Sequence, residues 1–508
     1  MSLLPIRTYE DVMNTVGGFG LYQKICFVFI QMADLFGAFI VFSPLLVAAA
    51  PPNWSCSPSN FTNGTNSSQI FHEEISSIVT TWQLVCDKEW IPNVINTIQM
   101  TGFFLGAAIF GQLSDSAGRR HTYFFGNLLL VLPCLISAFV PNWYYYAVCR
   151  LLTGIGFGGL QVISSVYPLE IVSKQYRSLT GTFGFWAIGQ MLLAPMGYFF
   201  RKWQTLLIVS CSTSIPFFFG WFFVPESPRW LLQKERYSEA HEILEKIAKK
   251  NGRSCPDLNI IKQITVRDDK RVSCMKLWMR KNFKKTAVIG LSWYTVNCTY
   301  YVISYNFPHD LINNKYLSLF LIGCVDWPAM LSVIAANRLT GRKNSLFFYT
   351  VQAAIGILII LVLNALEKPK NLKILLFIGG LIAKGCTVAA MYVLRIYTAE
   401  TFPTVVRSSA VALGSMFGCT GSISAPLLLI IFQKFPIGPF LVIFVLFVLM
   451  LAFVCFCLNE TRNLHLSDSF KEQQAAMKDL DEEKTFDLGE LVTTGKKRAV
   501  FHLTSQTN

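Results

Sequence analysis

Long apolar runs separated by short charged connections dominate this chain, and they constrain its fold more than any other feature. Each run is long enough to cross a bilayer as a helix, which takes roughly 20 predominantly apolar residues. The runs therefore predict an all-α membrane protein with twelve transmembrane helices in two six-helix bundles. The predicted spans are 22–49, 91–113, 121–140, 144–168, 178–200, 204–224, 286–306, 316–337, 344–364, 372–398, 408–430 and 436–458.

Composition excludes several other classes of protein. Hydrophobic residues make up 53% of the 508 positions and charged residues only 15%, whereas a soluble chain of this size needs more polar surface. The net charge of +14 does not indicate nucleic-acid binding, because the basic residues gather in loops expected on one side of the membrane. The six histidines lack metal-ligand spacing, and no nucleotide-binding G-x-x-x-x-G-K-[ST] loop occurs. We therefore predict no enzyme, cofactor or metal, and we assume a monomer.

The polar stretch 51–90 has the features of an extracellular loop. It contains four N-x-S/T sequons, one lysine and no arginine, which favours a glycosylated segment outside the cell. Its only cysteines are Cys56 and Cys86, and a disulfide between them is compatible with that location. The predicted glycosylation sites are Asn53, Asn60, Asn63 and Asn66.

A charged stretch, GQLSDSAGRR at 111–120, reads as a tight cytoplasmic turn between two spans. Its glycines allow the chain to reverse, and its arginines favour the cytoplasmic side. A related stretch at 337–343 follows the eighth span, and the Glu-to-Arg segment 170–177 recurs as 400–407 after the tenth. Similar segments at equivalent positions of the two halves predict a duplicated six-plus-six architecture.

These features divide the chain into five parts. The basic linker contains apolar residues at helical spacing, from Tyr237 to Ile247, which predict an amphipathic helix beneath the bundle. The predicted parts are a cytoplasmic N-terminus at 1–21, a bundle at 22–225 that includes the loop 51–90, a cytoplasmic linker at 226–285, a second bundle at 286–458 and a cytoplasmic tail at 459–508.

The motifs resemble those of known transporters. The 111–120 stretch resembles the signature of the major facilitator superfamily. Residues 82–87 (WQLVCD), 225–231 (PESPRWL) and 397–407 (YTAETFPTVVR) resemble the organic cation, carnitine and organic anion transporter family, solute carrier family 22. The resemblance implies a multi-pass plasma-membrane carrier that works by alternating access around a central site between its two halves.

A site for amphipathic organic ions requires aromatic walls, because ring faces attract cations in a low-dielectric cavity. Trp293 and Tyr300 match aromatic positions of the family, while Tyr301, Trp327 and Tyr392 are further candidates. The alternative for each ring is ordinary packing, since 14% of the chain is aromatic.

Ionisable side chains within spans are informative, because each is costly unless it is paired or faces water. Asp34 lies midway along the first span and Asp326 midway along the eighth. Lys384 lies in the tenth span, with Arg395 nearer its cytoplasmic end. The resemblance places Asp326 and Lys384 where the family carries an acid and a base. Their alternative role is a structural ion pair, and that of Arg395 is pairing with Glu400.

Two positions depart from the family pattern. Cys419 stands where cation carriers have an aspartate and many anion and carnitine carriers an arginine, and Gln161 stands where cation carriers often have a tryptophan. The usual rule for substrate charge therefore does not apply. We hypothesise that Asp34 or Asp326 supplies the carboxylate, which favours cations or zwitterions as substrates. The alternatives are an organic-anion carrier, favoured by Lys384 and Arg395, and a transport-dead receptor.

Charged residues at the cytoplasmic ends of the spans form a separate prediction. We expect them to build networks that hold the two halves together when the carrier faces outward. They are Asp115, Arg119, Arg120, Glu170, Arg177, Glu226, Arg229, Glu400 and Arg407.

Overall fold

The computed structural model describes residues 9–49, 76–173, 176, 184–263, 280–306, 315–366, 372–402 and 404–461, apart from the side chains at 10, 263, 280–282, 315, 373 and 404–409. The four predicted glycosylation sites, Cys56, Arg177 and the side chain of Arg407 lie outside this description. Cys86 is not among the free cysteines of the described residues.

In the described part of the chain, twelve helices of 10 to 29 residues occupy the places of the predicted spans, which confirms the predicted fold class. Within the described residues, nine helical stretches are long and apolar enough to cross a membrane, and α3, α5 and α7 are not among them. The twelve are α1 Leu21–Phe42, α2 Ile91–Ala117, α3 Arg119–Ser137, α4 Trp143–Ile171, α5 Trp186–Phe199, α6 Trp203–Ser212, α7 Arg280–Tyr305, α8 Lys315–Leu339, α9 Arg342–Ala365, α10 Lys373–Thr401, α11 Thr404–Ile431 and α12 Gly438–Cys457.

Two predicted spans are not single α-helices. The first ends at Phe42, and a short helix, Pro44–Val47, follows Ser43. The sixth ends as an α-helix at Ser212 and continues as the 3₁₀-helix Ile215–Phe222. Proline accounts for both changes, because Pro44 and Pro216 lack the backbone N–H that an α-helix needs and clash with the preceding turn. The described part of α5 begins at Trp186.

The predicted ten-residue turn at 111–120 is much shorter than expected. Helix α2 continues through Asp115 to Ala117, and α3 begins at Arg119, so that Gly118 alone separates them. Gly118 has a φ of 101°, and Gly341, which precedes α9, has a φ of 90°. Only glycine adopts this backbone conformation without strain. The two halves of the chain thus use the same kind of junction.

The two bundles also repeat their internal packing. In the N bundle (α1–α6), α2 and α3 pack on α4 and α1 packs on α5; in the C bundle (α7–α12), α8 and α9 pack on α10 and α7 packs on α11. The bundles meet where α2 lies against α11 and α5 against α8. The helices next to these contacts, α1, α4, α7 and α10, supply the interior side chains described below.

Helices α2 and α4 approach each other through glycines. Gly102 and Gly106 lie one turn apart on α2, and Gly154 and Gly158 lie one turn apart on α4. A Cβ atom built on any of them would overlap a backbone carbonyl of the facing helix. Such small-xxx-small pairs allow close backbone contact in lipid, where packing drives association.

A small second core lies at the end of the molecule that carries Gly118 and Gly341, hereafter the charged end. It contains the helices Tyr9–Thr15, Pro228–Gln233, Tyr237–Lys250 and Leu258–Gln263. Val12, Leu244 and Ile247 are buried within it. The predicted amphipathic linker helix is therefore present. The N-terminal segment, for which no secondary structure was predicted, contains the helix Tyr9–Thr15, which packs against the linker.

Candidate functional site

An aromatic layer closes the interior between the two bundles. We use this term for Phe42 and Trp186 of the N bundle together with Tyr300 of the C bundle. The Trp186 ring lies 5.3 Å from the Phe42 ring, and its Nε1–H donates to the Tyr300 hydroxyl at 2.7 Å. The layer thus joins α1, α5 and α7 across the interface between the bundles.

Two charged side chains of the C bundle border this layer. The Tyr300 hydroxyl donates to Asp326 Oδ2 at 3.4 Å, and the Lys384 ammonium lies 3.2 Å from the Tyr300 ring centroid. Lys384 also donates to the Ser304 hydroxyl. Asp326 and Lys384 are both buried. The structure therefore brings together Tyr300, Asp326 and Lys384, which the sequence proposes as site residues.

A second polar group lies nearer the charged end. The Asp34 carboxylate lies within hydrogen-bonding reach of Ser164 on α4 and within electrostatic reach of Arg395 on α10. Tyr392 lies within electrostatic reach of Asp34, Asp326 and Arg395. Because Asp34 belongs to the N bundle and Arg395 to the C bundle, this acid–base set also spans the interface.

The interior opens toward the charged end. On one face of α4, Arg150 and Phe157 are buried, but Gln161, one turn further along, is exposed. On one face of α10, Lys384 is buried and Arg395 is only half-buried. The interior beside Gln161, Asp34 and Arg395 is therefore partly accessible to solvent, whereas the interior beside Phe157 and Lys384 is not.

The remaining aromatic candidates lie within the C bundle. Trp293 donates its Nε1–H to Thr398 Oγ1 at 3.1 Å and packs against Gly414. Tyr301 lies near Cys419 of α11 and stacks on Tyr305 with ring centroids 5.9 Å apart. Trp327 is half-buried on α8. These contacts place Trp293, Tyr301 and Cys419 between helices of one bundle.

Phe42 and Trp186, which form the N-bundle side of the aromatic layer, are not among the residues predicted from the sequence. The predicted rings all lie on the seventh, eighth and tenth spans. Nothing local distinguishes these two residues from the many other rings of the chain, because their partner Tyr300 lies more than a hundred positions from Trp186.

Two glutamates at the charged end cap equivalent helices. The Glu226 carboxylate accepts from the backbone N–H groups of Arg119 at 2.8 Å and Arg120 at 3.1 Å, at the start of α3. The Glu460 carboxylate accepts from Arg342 at 2.8 Å and Lys343 at 3.1 Å, at the start of α9. Carboxylates are stabilised at helix N-termini because the free N–H groups and the helix dipole favour negative charge.

Ion pairs surround both caps. Arg119 pairs with Glu170 at 3.0 Å and with Asp115 at 2.9 Å, and Arg342 pairs with Glu400 at 3.0 Å. These pairs each lie within one bundle, so the expected role of the charges in holding the halves together remains a prediction.

The other predicted gate residues behave differently. The Arg120 guanidinium lies 4.6 Å from the Trp221 ring centroid and donates to the Trp221 carbonyl. Arg229 is half-buried on the short helix Pro228–Gln233, and within the described residues no ion pair involves it.

We expect Asp115→Ala to reduce turnover without an equal loss of substrate affinity. The Asp115 side chain is 46% exposed and lies in the last turn of α2, so we expect its removal to shift the balance between carrier conformations and to leave the site unaltered. Initial uptake rates over a substrate concentration series should show Vmax falling about tenfold while KM stays within about twofold. A raised KM with normal Vmax contradicts this expectation.

Comparison with known proteins identifies the family. The family described as Sugar (and other) transporter matches residues 65–472. Solute carrier family 22 member 16 of Bos taurus is 33% identical over 411 residues, covering 79% of this chain and 71% of the relative. The chain belongs to solute carrier family 22. It is therefore a multi-pass membrane carrier and not an enzyme, as predicted.

Other similarities agree with this assignment. The organic cation transporter protein of Drosophila melanogaster is 29% identical over 479 residues, covering 83% of this chain and 86% of the relative. An inward-open structure of the xylose transporter XylE from E. coli covers 87% of this chain and 98% of its own, with a TM-score of 0.64 and 18% identity. At this identity the structural likeness shows the fold of the carrier and nothing about its substrate.

Proposed function

We propose that this carrier moves small organic cations or zwitterions across the plasma membrane by alternating access. The observation that supports this most directly is Asp34, a half-buried carboxylate in the part of the interior that opens to the charged end. A carboxylate inside a low-dielectric cavity attracts a cationic group far more strongly than one in water does. The Drosophila melanogaster relative is named organic cation transporter protein, which agrees with this charge preference.

The arrangement of charges also supports zwitterionic substrates. Asp34 has Arg395 as its electrostatic neighbour, and Asp326 has Lys384. A substrate with one positive and one negative group can therefore satisfy an acid and a base together. The proposed set of binding residues is completed by Trp293, Tyr301, Tyr392, Gln161 and Cys419, and Tyr392 is an electrostatic neighbour of both acids.

The orientation of the carrier is part of the proposal. The charged end faces the cytoplasm, because its loops and linker concentrate lysine and arginine. Both termini are then cytoplasmic, and the loop 51–90 is extracellular, with glycans on its sequons and a Cys56–Cys86 disulfide. Peptide N-glycosidase treatment of Asn60→Gln and Asn66→Gln variants tests this orientation through the shift in apparent mass.

We expect Asp34→Asn to reduce uptake of labelled tetraethylammonium about tenfold, which corresponds to roughly 1.4 kcal/mol of lost attraction. Asp326→Asn should reduce it less, because Asp326 is buried beside Lys384 and is not in the open part of the interior. Uptake normalised to surface protein is the measurement. Full uptake by both variants would contradict a carboxylate-based site.

An organic-anion carrier is the second candidate, supported by the intramembrane bases Lys384 and Arg395. Competition by cation and anion panels at two membrane potentials distinguishes the two functions. Cation uptake that increases when the cell interior is made more negative supports the first function, whereas exchange with dicarboxylates supports the second.

A further inference from the structure

The face of the Tyr300 ring is covered by a cation that belongs to the protein. The Lys384 ammonium lies 3.2 Å from the Tyr300 ring centroid and 5.8 Å from the Phe42 centroid. Lys384 is 0% exposed, and Tyr300 is 4% exposed. An ammonium over a ring face takes the position that a bound organic cation would use. A substrate cation therefore cannot use this face while Lys384 lies on it.

Asp326 offers Lys384 a second position. Asp326 Oδ2 accepts from the Tyr300 hydroxyl, but Asp326 Oδ1 is buried without a hydrogen-bond partner. The two side chains influence each other electrostatically, yet the described ion pairs include none between them. A buried carboxylate oxygen without a partner carries an uncompensated desolvation penalty, which a shift of the neighbouring ammonium would remove.

We propose that Lys384 is a tethered competitor for cationic substrates. In the substrate-free site its ammonium occupies the Tyr300 face, and a substrate ammonium that binds there displaces it toward Asp326 Oδ1. No bond is made or broken and no proton is transferred, since Lys384 remains charged in both positions. This inference rests on the proposed function, because it assigns a specificity-determining role to a residue within the same site.

The position of the ring gives the exchange a wider consequence. The hydroxyl of Tyr300 accepts from Trp186 Nε1 of the N bundle at 2.7 Å, and Phe42 of α1 lies 6.3 Å from the Tyr300 ring. The occupant of the Tyr300 face is therefore in contact with both bundles. When a substrate ammonium replaces the Lys384 ammonium, the cation that contacts the aromatic layer is no longer attached to the C bundle.

The exchange predicts an unusual effect of removing a positive charge. Lys384→Met keeps a long side chain but frees the Tyr300 face, so that a cationic ligand no longer competes with the protein. Choline and its uncharged isostere 3,3-dimethylbutan-1-ol form a matched pair of probes, each tested as an inhibitor of labelled tetraethylammonium uptake. We expect the potency of choline to rise about tenfold and that of the alcohol to change less than about twofold.

Matched variants separate competition from simple structural support. Lys384→Arg keeps the charge and should retain the choline potency of the unmodified carrier. In a Tyr300→Leu background, Lys384→Met should no longer raise choline potency, because the ring face is gone. If Lys384→Met does not reach the cell surface, the charge-balanced Lys384→Met/Asp326→Asn variant is compared with Asp326→Asn, and the same rise in choline potency is expected.

The outcomes also separate this inference from the proposed function. If Lys384→Met takes up tetraethylammonium but its choline potency is unchanged or reduced, the tethered-competitor role is overturned and the proposed function stands. The same conclusion follows if choline potency in the double variant is no higher than in Asp326→Asn. If the inhibitory potencies of choline and of the alcohol change by similar factors, the tethered-competitor role is overturned as well. Absence of cation and zwitterion uptake by the unmodified carrier overturns both.

Discussion

Replacing Gly106 by leucine is expected to remove most of the folded carrier from the membrane. A Cβ atom at this position would overlap the backbone carbonyl of Ile155 on α4, and a backbone group within a packed helix cannot move aside as a flexible side chain can. Overpacking typically costs about 1–3 kcal/mol and more where the neighbour cannot move, against a total stability of roughly 5–15 kcal/mol for a typical domain. Surface biotinylation and size-exclusion profiles of a fluorescent fusion give the measurement.

The same helix provides a matched control for this substitution. Gly111 lies on α2 five residues nearer the charged end, and a Cβ atom built on it has nothing within 4 Å. Gly111→Leu should therefore be as abundant as the unmodified protein, whereas Gly158→Leu on α4 should resemble Gly106→Leu. Equal abundance of Gly106→Leu and Gly111→Leu would show that the close approach of α2 and α4 is not required.

Replacing Glu170 by alanine is expected to destabilise the carrier much more than replacing its counterpart Glu400. The side chains of Arg119 and Glu170 are only 8% and 10% exposed, whereas those of Arg342 and Glu400 are 25% and 22% exposed. Removing Glu170 leaves the buried Arg119 with the half-exposed Asp115 as its remaining ion-pair partner, and breaking a buried pair in this way costs about 3–5 kcal/mol. For the more exposed pair we expect about 1 kcal/mol or less, because solvent screens the interaction.

Thermal unfolding of the purified variants in one detergent tests this comparison. Glu170→Ala should unfold at a clearly lower temperature than Glu400→Ala. Arg119→Met combined with Glu170→Ala should recover part of the loss, because the double variant no longer strands a charge. The single variants Arg119→Met and Glu170→Ala each lower the midpoint temperature by some amount. If the double variant lowers it by the sum of these two amounts, Arg119 and Glu170 do not act as a pair.

The predicted fold depends on local properties of the sequence, which explains its agreement with the structure. The length of an apolar run and the residues at its ends are sufficient to predict a membrane helix, because each helix satisfies its own backbone hydrogen bonds in lipid. The details that failed are also local. Pro216 ends α6 early, and α2 continues to Ala117, through most of the predicted turn, although Ser114, Asp115 and Ser116 are weak helix formers.

The roles of the two capping glutamates required the tertiary structure. The sequence shows Glu226 and Glu460 after the last span of each half, but not that each carboxylate caps a helix that begins more than a hundred residues earlier. The hydrogen bonds depend on the return of the chain to the charged end, a property of the bundle and not of either segment. The same holds for the four glycines between α2 and α4, whose spacing is visible in the sequence but whose partner helix is not.

The sequence by itself determined that this protein is a twelve-helix carrier of solute carrier family 22 with ionisable groups inside its spans. It could single out Asp34, Asp326 and Lys384, because a charge within an apolar run is costly wherever its partner lies. Only the tertiary structure decided what these charges face: Asp34 lies near Arg395 in the open part of the interior, and Lys384 lies on the Tyr300 ring. These neighbours come from different helices, and helix packing, which the sequence does not display, sets the distance between them.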